Sequence, residues 1–279
     1  MGRGEAVTSE LTFGEFERRG WEEVAGSYEQ ATKDLAIQAV EPLLDGVGAG
    51  EGMVVLDVPT GPGYIIGAGA ARGASVIGVD ISQAMLKVAA SNNPGADLRH
   101  GAAEELPVED GTVDAVVSAY GMPHFVDHGR FFREAHRVLR PGGRLAFATF
   151  CPPPANQHIG LVFATLNRVA NLDVGLPPGP DVFRFSDAGV CEEELEAAGF
   201  RGVHVSEIAV EWRSAEGADD LIRQVQNATV RSRALLNAQT DAVMAAVRAG
   251  LAEGLEPFRG SDGMFRVPAT SVLVTASRP

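Results

Sequence analysis

Two acidic residues and a glycine-bearing turn carry the most chemistry in the sequence. The run Val54-Val55-Leu56-Asp57-Val58-Pro59-Thr60-Gly61-Pro62-Gly63 joins a short apolar segment to that turn, and Asp80 closes the next apolar segment, Ala74 to Asp80. Glycines in such a turn let a ligand approach the backbone, and amides at the start of the following helix favour a carboxylate or phosphate. An acid roughly 20 residues further on, at a strand end, typically accepts both hydroxyls of a ribose. The turn alone is a weak signal; together with Asp80 it points to a nucleoside-bearing ligand. His124, in Tyr120-Gly121-Met122-Pro123-His124-Phe125, is the best candidate for a general base. Read more plainly, it is a loop histidine that packs or caps. His128 at a helix start reads as structural, and His100 and His136 as surface or packing residues. No His, Cys, Asp or Glu cluster has metal-ligand spacing.

A nicotinamide-dependent alternative can be tested in the sequence itself. The short-chain dehydrogenase type needs a Tyr-x-x-x-Lys pair. Four residues after Tyr28, Tyr64 and Tyr120 stand Thr32, Ala68 and His124, so none qualifies.

The elements that must position these groups alternate. Leu11 to Asp45 is helical and amphipathic, with Trp21, Val24, Ala25 and Tyr28 on one face. Strands are predicted at Met53–Val58, Ala74–Asp80, Ala96–Arg99, Thr112–Ser118 and Arg144–Phe150, separated by helices at Tyr64–Arg72, Ser82–Ser91 and His128–Leu139. Ser82 and Asp127 are placed as caps. This pattern predicts an α/β, Rossmann-like, mostly parallel sheet with helices on both faces. His124 then falls at the carboxyl edge, where open sheets of this kind bind ligands. Beyond a Pro152-Pro153-Pro154 connector the pattern predicts helices at Leu161–Asn171, Asp187–Ala198, Ala218–Leu236 and Thr240–Leu255, with strands at Val203–Trp212 and Thr270–Ser277.

Composition narrows the function. The chain has 279 residues, 23 Lys and Arg against 37 Asp and Glu, and a net charge of −14. That charge repels nucleic acid and anionic lipid. No apolar run reaches the roughly 18 residues of a membrane span, and Met1 to Glu5 lacks the apolar core of a signal peptide. Cys151 and Cys191 form neither a disulfide framework nor a CxxC pair, which suits a reducing cytoplasm.

The run around Asp57 resembles motif I of the class I S-adenosylmethionine-dependent methyltransferases. Gly78-Val79-Asp80-Ile81-Ser82-Gln83-Ala84-Met85-Leu86, Gly101 to Pro107, Val113 to Ser118, Arg137 to Gly143 and Leu195 to Arg201 resemble later segments of the family, in the right order. The nearest subgroup looks like the ubiquinone/menaquinone-biosynthesis type acting on small molecules. The resemblance implies a seven-stranded sheet with one antiparallel strand at Thr270–Ser277. It implies S-adenosylmethionine as cofactor and S-adenosylhomocysteine as product. Asp57, Gly61 and Gly63, with Pro59 in the same turn, would frame the methionine part. Asp80 would hold the ribose, with Ile81 and Met85 on the adenine and Ala103 and Glu104 at its edge. Ser118 and Ala119 would line the floor, and Tyr28 would close over the methionine end. The sequence departs from the family at two points. Pro59 replaces a glycine and donates no amide, leaving the Thr60 hydroxyl as substitute; Ala102 replaces an aspartate that accepts the adenine amino group.

The domain organisation expected is an N-terminal helical segment (1–45) and a methyltransferase domain (46–279). Its cofactor half is 46–150, and its substrate half, 151–279, carries a helical lid at about 213–256. Phe125, Phe163, Leu166 and Phe183 are the expected apolar walls. The expected reaction is methyl transfer to an O, N or C nucleophile of a small molecule, by alignment with His124 as base. Abundant alanine, arginine and glycine suggest a bacterial source, and hence a secondary metabolite. Two alternatives keep the same fold: a cofactor-binding cyclase or rearrangement catalyst, and a non-enzymatic binding module.

Overall fold

A computed structural model describes residues 11–279. The first ten residues, expected from their polarity to be loose, lie outside the described residues. Nine strands follow the two opening helices: β1 Val54–Asp57, β2 Ser75–Asp80, β3 Asp97–His100, β4 Val113–Ala119, β5 Leu139–Phe150, β6 Arg201–Ile208, β7 Glu211–Ser214, β8 Phe265–Pro268 and β9 Ser271–Ser277. Seven of them form one sheet in the order β3-β2-β1-β4-β5-β9-β6. The pairs β1–β2, β1–β4, β2–β3 and β4–β5 are parallel, while β9 runs antiparallel to both β5 and β6. This is the expected Rossmann-like sheet, including its one reversed strand.

Period-two alternation sends neighbouring side chains to opposite faces, and both faces are covered. Leu56, Val116 and Phe147 pack with Phe131, Phe132 and Leu195, contributed by α5 (His128–Val138) and α7 (Ala188–Ala197). Val55, Ala115, Val117 and Ala146 pack instead with Leu43, Leu44 and Ile65 from α2 (Val40–Val47) and α3 (Tyr64–Ala71). Each fully buried side chain of this size contributes about 1.5–3 kcal/mol of burial free energy, so the strand ends are fixed firmly in space.

Helix α1 (Phe13–Ala36) begins with a capping box. Thr12 Oγ1 accepts from the Glu15 amide, and the Glu15 carboxylate accepts from the Thr12 amide at 3.2 Å. Ser82 caps α4 (Gln83–Asn92) and Asp127 caps α5, accepting from Met85 N at 3.1 Å and Arg130 N at 2.8 Å. Val24 and Ala25 of α1 pack on Met85, with Trp21 and Tyr28 at the edge of that cluster.

The structure corrects several element boundaries: β5 begins at Leu139 rather than Arg144, and the helix expected over Leu11–Asp45 is divided between α1 and α2. The strand expected over Val203–Trp212 breaks after Ile208. β6 stays in the main sheet, whereas β7 pairs with β8 in a two-stranded ribbon, so that Trp212 is buried against a separate helical cluster. The helix expected over Ala218–Leu236 is α8 (Ala218–Ala228) and α9 (Arg231–Asn237), because Thr229 is extended. The break turns Val230 onto Gly20 of α1, where a Cβ would lie 2.2 Å from Val230 Cγ1. Finally, α6 starts at Gln157 rather than Leu161, capped by Asn156 through the Ile159 amide, and runs to Val169. With α10 (Asp241–Leu255) these helices form a third apolar cluster around Leu221, Leu251 and Leu255.

Candidate functional site

A cavity of about 660 Å3 lies where Asp57, Asp80 and Ala119 end their strands. Its walls include the loops after β1, β2, β3 and β4, one face of α1, the helices α6, α8 and α9, and the loop that follows α6. Of the residues expected from the sequence, Tyr28, Asp57, Pro59, Gly61, Asp80, Ile81, Met85, Ala103, Glu104, Ala119 and His124 all line it. Phe125, Phe163 and Leu166 line it too. Gly63 and Ser118 do not. Gly63, in the left-handed region at φ 83°, packs its Cα against Asn93, where a Cβ would lie 2.5 Å from Nδ2. Ser118 is fully buried beneath Gly121, within 2.6 Å of where a Cβ there would stand. Phe183 stands behind the wall, with its ring 5.9 Å from that of Phe163.

The turn after β1 is closed on itself. Thr60 N donates to Val79 O, Gly61 N to Asp80 Oδ2 at 2.9 Å, and Gly63 N to Thr60 O. Pro59 and Pro62 have no amide hydrogen. The amides of the turn itself are therefore taken, and those that head α3, at Tyr64, Ile65 and Ile66, are the ones left for an anion. The Thr60 hydroxyl is also committed, donating to Asp57 Oδ2 at 2.7 Å. Pro59 instead fits against Gly121, where a Cβ would come within 2.4 Å of its Cδ.

Two carboxylates face the cavity from strand ends. Asp80 accepts from Gly61 N and, through Oδ1, from Ser82 N at 2.9 Å. A carboxylate has about four lone-pair sites, so two remain for ligand hydroxyls. Burial pushes its pKa up to about 6, against the pull of those two amides. Asp57 is more extreme. Its Oδ1 is buried with no hydrogen-bond partner, and burial pushes its pKa up to about 8. Tyr64 Oη, another buried polar atom without a partner, belongs to the same cavity. The adenine-edge candidate Glu104 is partly engaged, as its Oε1 accepts from the Val126 and Asp127 amides at 2.7 and 3.2 Å.

His124 sits in a helical turn at Met122–His124, reached after Tyr120 adopts a left-handed φ of 59°. Its Nδ1 lies 2.8 Å from Glu17 Oε2, which also accepts from Trp21 Nε1 at 3.0 Å. The Trp21 and His124 rings meet edge-on at 4.8 Å. In the tautomer that donates from Nδ1 to the Glu17 carboxylate, the Nε2 lone pair is left available. Glu17 was missed from the sequence, although it precedes Trp21 by one helical turn and shares its face. His158 was missed as well, hidden by the proline connector. Among the described residues no group of His, Cys, Asp and Glu could hold a metal ion, and no helix is long and apolar enough to cross a membrane.

The comparisons with known proteins agree with this geometry. A family model described as a methyltransferase domain matches residues 56–147. Demethylmenaquinone methyltransferase of Clavibacter sepedonicus is 32% identical over 48% of this chain and 58% of its own. Across the first curated relatives the chain spans 39–58% of their length. Among solved structures, YcgJ of Bacillus subtilis aligns over 86% of this chain and 97% of its own, with 17% identity and a TM-score of 0.54. The cyclase SpnF aligns over 96% of this chain and 97% of its own, with 18% identity and a TM-score of 0.56. At such identities the two structures speak for the fold. Strand order, motif order and family match together make residues 56–147 a methyltransferase domain of the class I, S-adenosylmethionine-dependent kind.

Proposed function

We propose that the protein transfers a methyl group from S-adenosylmethionine to a small, largely apolar acceptor enclosed beneath α6, α8 and α9. One observation carries the reading: Asp57 and Asp80 end adjacent strands and stand buried at the same cavity, each with unfilled acceptor capacity.

The residues present fit the cofactor. Asp57 Oδ1, buried and unpartnered, suits an ammonium group, and a cation there would favour its ionised form. The Tyr64 hydroxyl is free to donate to a carboxylate, a role the self-bonded turn after β1 does not serve. Asp80 suits the ribose hydroxyls, and Ile81, Met85 and Ala103 offer an apolar slot for the adenine. The sulfonium supplies an already activated methyl group, so the protein's task is to align the acceptor and exclude water. Trp21, Tyr28 and Phe125 line the same cavity and add apolar surface that would keep water out. His124, oriented by Glu17, takes a proton from the acceptor where the acceptor carries one.

Calorimetric titration with S-adenosylmethionine and S-adenosylhomocysteine, on wild type and Asp80→Ala, tests this reading. The expected result is micromolar binding that weakens about 100-fold in the variant, equivalent to one or two lost hydrogen bonds to a charged group. Wild-type protein that binds neither compound overturns it. A secondary-metabolite acceptor and a cytoplasmic setting remain the compositional part of the same proposal.

A further inference from the structure

The opposite wall of the cavity carries a polar pair for which the reaction above has no use. His158 at the start of α6 and Gln224 in α8 are 8% and 7% exposed. His158 Nε2 lies 2.8 Å from Gln224 Oε1. Both side chains line the cavity, set among Ile159, Val162, Val225 and Ala228. The Trp212 ring backs the imidazole at 5.6 Å. Burial pushes the His158 pKa down to about 4, so the ring is neutral near pH 7 and its Nε2–H donates to the Gln224 oxygen. The Gln224 amide nitrogen and His158 Nδ1 then make no hydrogen bond among the described residues. Both atoms open onto the cavity rather than being sealed in the core, so a molecule held there can meet them.

Charge narrows what that something is. Among the described lining residues Arg231 alone carries a fixed positive charge, and its guanidinium is exposed and donates to Pro177 O. The acids that line the cavity are Asp57 and Asp80 at strand ends, Glu104 in the loop after β3 and Glu17 on α1. A neutral donor–acceptor pair in an apolar chamber matches an uncharged oxygen, not a carboxylate or a phosphate.

We propose that the His158–Gln224 pair is the recognition point for an uncharged oxygen function, a hydroxyl or a carbonyl, on an otherwise apolar acceptor. The proposal rests on the methyltransferase reading and supplies its acceptor class. With the proton on Nε2, a carbonyl or hydroxyl oxygen accepts from the Gln224 amide, while His158 Nδ1, on the far side of the ring, is left to accept from a separate donor.

The test uses four probes of one ring size: naphthalene, naphthol, naphthoquinone and naphthoate. Binding to the full chain is followed by tryptophan fluorescence, because Trp212 touches His158, and is confirmed by calorimetry. In wild type, naphthol and naphthoquinone are expected to bind saturably and naphthoate more weakly than either. In Gln224→Met the two uncharged oxygen-bearing probes should lose about tenfold in affinity, the cost of one uncompensated hydrogen bond, with naphthalene unchanged. His158→Phe provides the same contrast should Gln224→Met fail to fold. Naphthol and naphthoquinone held equally well by a folded variant would overturn the proposal, as would wild type that binds neither. Naphthol weakened alone assigns a hydroxyl; both weakened assigns a carbonyl-tolerant site. S-Adenosylhomocysteine titrated into the same samples keeps failure of the methyltransferase reading distinguishable, since the probe contrast is read without it.

Discussion

At one side of the cavity Asp57 and Asp80 stand on adjacent strands, 1% and 4% exposed, with their backbones locked into a seven-stranded sheet. Elsewhere helices α6, α8 and α9 present Val162, Leu166, Val225 and Leu235, and the neutral His158–Gln224 pair stands there with Asn167, Arg231 and Ser232. The difference teaches a division of labour. Buried charge needs rigid neighbours, since a carboxylate displaced from its amide donors loses stabilisation steeply. Apolar enclosure needs only shape, so it can be built from helices that pack on α1, on one another and on the β7–β8 ribbon. Glu17 and His124 meet at the seam, one from α1 and one from the loop after β4.

Breaking the seam should have the largest effect. Substitution His124→Gln is expected to lower turnover roughly 100- to 10,000-fold with an acceptor that must lose a proton, the usual range for a general base. Cofactor binding should be retained, and Glu17→Gln should lower turnover by a smaller factor. Release of S-adenosylhomocysteine measures this; unchanged turnover in His124→Gln would reduce the residue to a packing role.

Next comes the docking of the helical wall. Gly20→Ala forces a Cβ into Val230, 2.2 Å from its Cγ1, and overpacking of this kind costs about 1–3 kcal/mol. Thermal denaturation should show the loss, and Gly20→Ala combined with Val230→Ala should be more stable than Gly20→Ala alone. A double variant no better than the single would mean that the two walls do not meet through this contact.

The smallest effect distinguishes the charged wall by pH. Asp57 has a folded pKa of about 8, against an ordinary 3.8, so the folded chain holds a proton that the unfolded chain has released. Stability from this group therefore falls as pH rises through that window. Asp80, raised to about 6, acts in the same sense at lower pH. His158, lowered to about 4 from 6.5, acts in the opposite sense, its contribution rising with pH up to 6.5. Between pH 6.5 and 8 the Asp57 effect stands clear of the other two, with a ceiling of about 1.4 kcal/mol per pH unit. Chemical denaturation of the ligand-free protein should show the decline, and Asp57→Asn should flatten it. A slope unaffected by the substitution would place the ionised carboxylate in a better-solvated setting than its burial implies.

What the sequence made legible follows the same division. The parallel strands were readable because buried strands are continuous apolar runs punctuated by Asp57, Asp80 and the turn glycines, whereas the reversed strand followed only from the family resemblance. The cavity-lining acids were readable from their places at strand ends. The bonding of the turn was not. That Thr60 would serve Asp57, and that Gly61 would serve Asp80, depends on tertiary approach rather than spacing. Glu17 was hidden for a related reason: it is one polar residue on an amphipathic helix, and only packing decides that it turns inward, as it also decides that Gln224, one of several polar residues on the expected lid helix, faces the cavity. The break at Thr229 escaped because helical periodicity continues on both sides of it.

The ribbon of β7 and β8 has a further consequence. Ser214 pairs with Phe265, so the chain leaves for the helical segment and comes back at the same point. A segment tethered at two adjacent strand ends can change its length at small entropic cost, because loop closure depends only logarithmically on chain length. The sheet beneath has no register with it to lose. Residues 215–264 are thus arranged as an exchangeable cassette, and a lineage could acquire a new acceptor by replacing that insert while leaving every strand, and both aspartates, untouched.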